Sequence, residues 1–134
     1  MPTGLNSIRL PRQTLLAMET HARNCAPLEC CGLIATDFIG EVRFVYPLTN
    51  SESSTSSFSI APEEAFGAFM HADRSGWRIG GVFHSHPGSP STMSKRDIAE
   101  SADSRWLHLI IGRDGLRCYR LEEKEAVEVA IETI

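Results

Sequence analysis

The spacing of hydrophobic residues changes several times along this chain and predicts alternating helices and strands. Apolar residues recur at helical spacing in residues 11–24 and again in residues 62–76, as expected for amphipathic helices. Each stretch opens on a proline, a residue that suits the first turn of a helix. The predicted apolar stripes consist of Leu15, Met18, Ala22 and Cys25 in the first helix and Ala65, Phe66, Phe69 and Met70 in the second.

Short apolar or alternating runs predict a sheet. A third helix is predicted over residues 94–104, because Ser94 is followed three positions later by an acidic residue, as in a capping box. Residues 50–57 are too polar to bury and predict a loop. These elements indicate one domain, residues 1–134, of the α/β (α+β) class, with helices around six or seven strands. The predicted strands span residues 29–36, 41–50, 77–86, 106–112, 115–121 and 125–134.

Composition argues against several classes of protein. With 42% hydrophobic and 22% charged residues, the chain resembles a globular domain rather than a disordered segment. The formal charge of −4 argues against nucleic acid as a partner, because such binding depends on clustered Lys and Arg. Neither a secretory signal nor a bilayer-spanning run of roughly 20 apolar residues is visible, so we expect a cytoplasmic protein with no membrane partner. The oligomeric state leaves no mark in the sequence, and a homodimer remains open.

The four cysteines, Cys25, Cys30, Cys31 and Cys118, are predicted to be buried thiols. Cys30 and Cys31 are adjacent in an apolar run, and no C-x-x-C spacing of a metal site is present. Without a secretory signal, their even number does not indicate a disulfide framework.

The stretch GGVFHSHPGSPSTMSKRD carries the candidate chemistry. His84 and His86 are two positions apart, so in a strand their side chains point to the same face. Pro87 withholds an amide from the sheet and ends the strand at the second histidine. Asp97 falls in the first turn of the helix capped by Ser94, and we expect it to face back toward the strand.

Two imidazoles and one carboxylate that leave a fourth position free are the ligand set of a catalytic zinc site. Zinc lowers the pKa of bound water toward about 7 and polarises a carbonyl, so an amide can be hydrolysed near neutral pH. Taken alone, a histidine at a strand end usually forms a hydrogen bond, and S-x-x-D usually caps a helix. Their combination in one short stretch favours the metal site.

The complete motif resembles that of the JAMM (MPN-plus) metallopeptidases. It consists of Glu29, the H-S-H of His84 to His86, and the S-x-x-D of Ser94 to Asp97. The order of predicted elements is also similar to that family's fold over nearly the whole chain. The resemblance implies a mixed sheet flanked by helices, with an architecture related to that of cytidine deaminases. The deaminase motifs H-x-E and P-C-x-x-C are absent.

The resemblance also implies a role for each residue of the motif. His84, His86 and Asp97 would bind zinc. Glu29 would take a proton from the attacking water and pass it to the leaving amine, and a partly desolvated carboxylate suits that task. Ser94 would help to stabilise the oxyanion.

Other polar residues are weaker candidates. His21, His71 and His108 are lone histidines on a helix, after a helical stripe and in mid-strand, and we predict structural roles for them. The serine-rich residues 50–57 either border a substrate groove or form a solvated connection.

The small single-domain form resembles bacterial and archaeal members of the family, and in particular sulfur-carrier-processing enzymes of the CysO-cysteine peptidase type. This implies that the substrate is the C-terminal tail of a ubiquitin-fold sulfur-carrier protein, similar to ThiS or MoaD, from which an amino acid such as cysteine is released. An extended tail of small residues would fit a narrow groove or an exposed sheet edge. Two alternatives stay open: an isopeptidase that removes ubiquitin-like modifiers from lysine, and a catalytically silent MPN scaffold.

Overall fold

The computed structural model describes residues 7–101, 103 and 105–134. These residues form three helices and seven strands. The strands make one mixed sheet with the order β1-β7-β6-β5-β4-β2-β3. The strands are β1 (Ser7–Leu10), β2 (Cys31–Thr36), β3 (Val42–Leu48), β4 (Arg78–Ser85), β5 (Leu107–Gly112), β6 (Gly115–Glu122) and β7 (Glu125–Thr133). The helices are α1 (Arg12–Cys25), α2 (Pro62–Arg74) and α3 (Lys95–Ala99). The predicted α/β (α+β) architecture is confirmed.

Helices cover both faces of the sheet. α1 packs on one face through Met18, which belongs to the same hydrophobic core cluster as Phe83 and Leu109. On the opposite face, α2 packs Ala68 against Leu33 and other apolar residues of the sheet. β2 is buried along its entire length because it lies between β3 and β4 and is covered on both sides. Within the described ranges, no helix is both long and apolar enough to cross a membrane.

β4 lies in the interior of the sheet, between β5 and β2. β4 pairs in parallel with β5, and α3 lies in the connection between them. β2 pairs antiparallel with β4, so the start of β2 lies beside the end of β4. Residues on either side of that junction therefore meet, although more than 50 residues separate them along the chain.

The structure corrects the predicted face of α2. Ala68 and Ala72 are its buried residues, whereas Phe66 and Phe69 are exposed, with relative accessibilities of 66% and 44%. The small alanine side chains let the helix approach the sheet closely, and they outweigh the larger hydrophobic side chains in deciding which face is buried.

Two further elements differ from the prediction. β1 was not predicted, because its four residues are too few to show a clear period; Ile8 and Leu10 point into the core, and the strand pairs in parallel with β7. α3 is shorter than the predicted 94–104, since it ends at Ala99, and residues 102 and 104 lie outside the described residues.

The four cysteines are free thiols, but Cys25 is half-buried rather than buried as predicted. Cys30, Cys31 and Cys118 are buried, and burial raises the pKa of the Cys30 thiol to about 11. A thiol with such a pKa stays protonated near neutral pH and behaves as a small apolar side chain.

Candidate metal centre and active site

Three side chains converge at the carboxyl end of β4. The Nε2 atoms of His84 and His86 lie 3.1 Å apart. Asp97 approaches both, with Oδ1 at 3.3 Å from Nε2 of His84 and Oδ2 at 3.2 Å from Nε2 of His86. The structure thus brings together the predicted ligand set. His86 lies one residue beyond the strand, yet its ring still turns to the same side as His84.

A hydrogen bond orients His86. Its Nδ1 lies 2.8 Å from the carbonyl oxygen of Pro90, which can only accept a hydrogen bond. Nδ1 therefore carries a proton, and Nε2, which faces the cluster, is the nitrogen that would bind a metal once it gives up its own proton. The loop between the second histidine and α3 thus selects the tautomer that can bind a metal.

Stacking orients His84. The ring of Phe58 lies parallel to it within 26°, with the centroids 4.7 Å apart. Nδ1 of His84 is buried and has no hydrogen-bond partner among the described residues, so the aromatic contact takes the place of a polar one. Phe58 was missed in the sequence, because its position after a serine-rich loop gives no sign that it folds back onto His84.

The cap of α3 positions Asp97. The amide of Asp97 donates to Oγ of Ser94 at 3.0 Å, and the amide of Ser94 donates to Oδ2 of Asp97 at 2.9 Å, so the predicted capping box is present. Burial alone raises the pKa of the Asp97 carboxyl, but hydrogen bonds from His84 and His86 lower it well below its ordinary value. The site therefore holds an ionised carboxylate beside two imidazoles.

This geometry fits a tetrahedral metal ion. With metal–ligand bonds of about 2.0–2.1 Å, the ligand atoms of a tetrahedral zinc centre lie roughly 3.3 Å from one another. The two imidazole Nε2 atoms, 3.1 Å apart, lie close to that separation. Each also has one Asp97 oxygen within 3.3 Å, Oδ1 for His84 and Oδ2 for His86. The donor set of two nitrogens and one carboxylate oxygen also suits zinc, and it leaves a fourth position free.

The pairing of β2 with β4 places Glu29 beside the cluster. Cys31 pairs with His84, and the amide of Ser85 donates to the carbonyl of Cys30, so continuation of this register puts Glu29 opposite His86. Residues 29 and 31 lie on the same face of an extended chain, and this is the face to which the two histidines point.

Glu29 is buried, with 5% of its surface exposed. Burial raises the pKa of its carboxyl to about 7, although the nearby charge of His86 lowers it in part. A carboxyl group with a pKa near 7 can accept and return a proton at neutral pH. The sequence pointed to this residue only through a family resemblance, and the fold brings it to the cluster of His84, His86 and Asp97.

Asn50 is a second residue that the sequence did not reveal. Its buried side-chain amide donates to the carbonyl of Glu29 at 3.1 Å and to that of Ser57 at 2.9 Å. Its Oδ1 accepts from the amides of Glu52 and Ser59. One side chain thus fastens the serine-rich loop to the backbone of Glu29. Asparagine is common in loops, so its identity alone gave no signal.

The β5–β6 hairpin supports the loop that carries the second histidine. Oδ1 of Asp114 accepts the amide of Ser91 at 2.8 Å, and the hydroxyl of Tyr119 donates to the Ser91 carbonyl at 3.1 Å. The backbone approaches so closely that a Cβ added at Gly112 would lie 2.3 Å from the Ser91 amide nitrogen. The hairpin and the loop are therefore packed as one unit.

The remaining histidines lie outside the ligand set. Nε2 of His21 lies within 3.1 Å of the carbonyl oxygens of Cys31 and Leu48 and so bridges β2 and β3. His71 contacts the hydroxyl of Tyr46 at 2.7 Å. These contacts agree with structural roles. His108 differs, since it lines a cavity that opens beside the metal ligands.

That cavity has a volume of about 320 Å³. The serine-rich loop, α2, α3, β4 and β5 all contribute to its walls. The lining residues are Leu33, Ser56, Ser57, Phe58, Ser59, Ile60, Ala65, Phe69, Val82, His84, Arg96, Asp97, Glu100, Ser101, Trp106 and His108.

Comparison with known proteins identifies the family. Residues 11–122 match the model of the prokaryotic homologs of the JAB domain. The chain is 33% identical over 135 residues to a probable TtuB-protein conjugate cleaving protease of Thermus thermophilus, covering 97% of this chain and 88% of that protein. The chain belongs to the prokaryotic JAB family, and the predicted JAMM/MPN membership is confirmed.

Solved structures agree with this assignment. A protein of Desulfitobacterium hafniense superposes with a TM-score of 0.86 at 30% identity, over 95% of this chain and 92% of that one. A JAB1/MPN domain protein from Archaeoglobus fulgidus superposes with a TM-score of 0.61 at 19% identity, over 92% of this chain and 97% of that one. The second similarity concerns the fold alone.

Proposed function

We propose that this protein is a zinc-dependent peptidase of the JAMM type whose single domain spans residues 1–134. The observation that carries the proposal is the convergence of His84, His86 and Asp97 beside the buried carboxyl group of Glu29. The two Nε2 atoms lie 3.1 Å apart, and each lies within 3.3 Å of an Asp97 oxygen. When bound by these three side chains, zinc would supply a Lewis acid that activates water and polarises the scissile carbonyl.

The protein's own residues would move the protons. Glu29 would accept a proton from the attacking water and return it to the leaving amine, and its pKa of about 7 suits both transfers. The Oγ atom of Ser94 accepts the amide of Asp97, so its O–H group remains free to donate to the oxyanion that forms on the scissile carbonyl.

The substrate that we propose is the C-terminal tail of a ubiquitin-fold sulfur-carrier protein ending in glycine, from which a C-terminal amino acid, with cysteine as one candidate, is released. A tail of small residues suits this site, because such residues let a backbone approach the cluster closely.

A second candidate is an isopeptidase that removes a ubiquitin-like protein from lysine. The name of the Thermus relative, which describes cleavage of a conjugate between TtuB and protein, favours this alternative. A non-catalytic scaffold finds less support, since the ligand set, the buried glutamate and the capping serine are all in place.

The two leaving groups can be separated in one assay. The zinc-loaded protein is incubated with a carrier protein joined through its terminal glycine either to the α-amine of cysteine or to the ε-amine of lysine, and the products are weighed by mass spectrometry. Release from the cysteine adduct alone supports the first candidate. Release from the lysine adduct alone supports the second. Failure to cleave either adduct would refute the proposed peptidase activity.

The control for this assay is Glu29→Gln. We expect this variant to keep its fold and to bind zinc, but to lose at least about 100-fold in rate, since a positioned general base contributes roughly 10²–10⁴-fold. Turnover close to that of the parent would contradict the role assigned to Glu29.

A further inference from the structure

The cavity beside His84 and Asp97 has no part in the proton transfers described above. Its wall includes His84 and Asp97, so it begins where the scissile bond would be held. From there it extends to Leu33 and Val82, both of which are buried in the sheet. A group that enters the cavity must therefore branch from the substrate close to the bond that is cleaved.

The chemistry of the walls favours an apolar group. Phe58, Phe69 and Trp106 surround the cavity together with aliphatic residues, and the rings of Phe69 and Trp106 lie 6.2 Å apart. Beyond the metal ligands, the ionisable side chains in the lining are His108, Arg96 and Glu100.

None of these three offers an unpaired charge. Arg96 and Glu100 form an ion pair at 3.2 Å on the exposed side of α3. His108 lies at the buried end and contacts Oγ of Ser101 at 3.3 Å. Burial lowers the pKa of His108 to about 4, so its ring is neutral at neutral pH.

The size of the cavity suits one large side chain. An apolar protein cavity of about 150 Å³ is large enough to hold benzene. The volume of about 320 Å³ therefore exceeds what a phenyl ring or a leucine side chain requires, even though part of it opens to solvent.

We propose that this cavity is the subsite for the side chain of the residue whose α-amine leaves, and that it selects large apolar side chains over glycine and aspartate. The inference rests on the proposed function, because a tail that ends in glycine offers no side chain on the acyl side of the bond. The side chain that fills the cavity must then belong to the residue that supplies the leaving amine. A lysine isopeptide is disfavoured as a substrate. Its leaving ε-amine lies at the end of an unbranched methylene chain, so no side chain branches close to the bond that is cleaved.

The test uses the zinc-loaded protein and a ubiquitin-fold carrier ending in Gly-Gly, extended by one residue: Phe, Leu, Cys, Gly or Asp. A sixth substrate carries the ε-amine of lysine. We expect kcat/KM for the Phe and Leu adducts to exceed that for the Gly and Asp adducts by about 10- to 100-fold, the discrimination that apolar pockets achieve. Equal values across the series would overturn the inference and leave the proposed function standing. Cleavage of no adduct would overturn both.

A matched pair of variants locates the selectivity. Ala65→Phe places a phenyl ring in the cavity from α2, and we expect the ratio of Phe to Gly cleavage to fall toward one. Gly67→Phe places the same ring on the same helix but outside the cavity lining, at a position where an added Cβ meets nothing within 4 Å. We expect this variant to keep the parent's ratio of Phe to Gly cleavage. An unchanged ratio in Ala65→Phe would place the selectivity elsewhere and contradict the inference.

A binding measurement that is independent of turnover completes the test. The Glu29→Gln protein is titrated with the peptides N-acetyl-Gly-Gly-Phe and N-acetyl-Gly-Gly-Gly while the indole resonance of Trp106 is followed by NMR. We expect the Phe peptide to shift this resonance and the Gly peptide to leave it nearly unchanged, with the indole of Trp77 as the internal reference. Equal shifts from both peptides would contradict the proposed subsite.

Discussion

At the scale of single residues, the site depends on side chains held away from their ordinary environments. Glu29 is buried, and burial raises the pKa of its carboxyl more than the charges of His86 and Arg96 lower it. His84 lies against Phe58 with its Nδ1 unsatisfied among the described residues. Such arrangements cost folding free energy, and they are found where chemistry requires them.

The burial of Glu29 predicts a pH-dependent stability of the metal-free protein. Its pKa rises from 4.5 to about 7 on folding, so the folded form binds a proton more tightly than the unfolded chain does. The free energy of unfolding therefore falls as pH rises between these values. Glu29→Gln removes the cost of burying an ionised carboxylate. We expect the free energy of unfolding of this variant to exceed that of the parent by up to about 3 kcal/mol at pH 8 and to equal it at pH 4.

Urea titrations in the presence of a chelator at the two pH values measure this difference. Glu128→Gln, at a solvent-exposed position of β7, serves as the control and should follow the parent at both. A Glu29→Gln protein that is no more stable than the parent at pH 8 would show that the carboxylate is well solvated.

The stacking of Phe58 predicts an effect on metal affinity. In Phe58→Ala the ring of His84 loses the contact that orients it, so we expect zinc to bind roughly tenfold more weakly, the lower end of what supporting groups around metal ligands contribute. Competition with a chromophoric chelator measures the affinity. Phe66→Ala removes a ring that is 66% exposed on α2 and should leave the affinity unchanged. Equal affinity in the two variants would show that His84 needs no such support.

At the scale of elements, the site is assembled from strand ends and loops rather than from one continuous motif. β4 supplies His84, the segment just before β2 supplies Glu29, and the first turn of α3 supplies Asp97. The serine-rich loop closes over them and is fixed by Asn50. Loops carry much of the chemistry in proteins because a rigid sheet can hold them in place.

Asn50→Ala tests this loop. The substitution leaves the buried carbonyl of Glu29 without its donor, and we expect a loss of about 1–3 kcal/mol in the free energy of unfolding. We also expect hydrolysis to slow, since the backbone of Glu29 loses an anchor. Denaturant titration and initial rates measure the two effects. Ser51→Ala, at an exposed position of the same loop, should change stability by less than about 0.5 kcal/mol. Similar results for both variants would show that Asn50 has no special role.

At the scale of the whole molecule, the proposed metal binding would be coupled to folding. The candidate ligands lie at the end of β4, one residue beyond it and in α3, so an ion that binds them would stabilise the folded arrangement of these segments. A metal that binds only the native state at 100 times its dissociation constant adds about 2.7 kcal/mol to the free energy of unfolding.

Removal of zinc should therefore lower the melting temperature, by roughly 10 °C under those conditions. Differential scanning calorimetry with and without chelator measures the shift. Asp97→Asn lacks the carboxylate, and its melting temperature should respond much less to the chelator. If the melting temperature of the parent protein does not change when a chelator is added, the proposed metal centre is contradicted.

The sequence alone determined those features that arise between residues close together in the chain. The two-residue spacing of His84 and His86 and the capping box of Ser94 and Asp97 are set by the local geometry of strands and helix ends, and the structure has both. The alternation of helical and strand-like periods likewise predicted the order of the elements and the class of the fold.

Only the tertiary structure decided what depends on contacts between distant segments. The register of β2 against β4 places Glu29 beside the cluster, the loop brings Phe58 onto His84, and a mostly apolar cavity forms between α2, α3 and the sheet. The buried face of α2 and the pairing of β1 with β7 were also settled in this way. Local periodicity says which residues prefer to be buried, but packing among all the elements selects the partners against which they are buried.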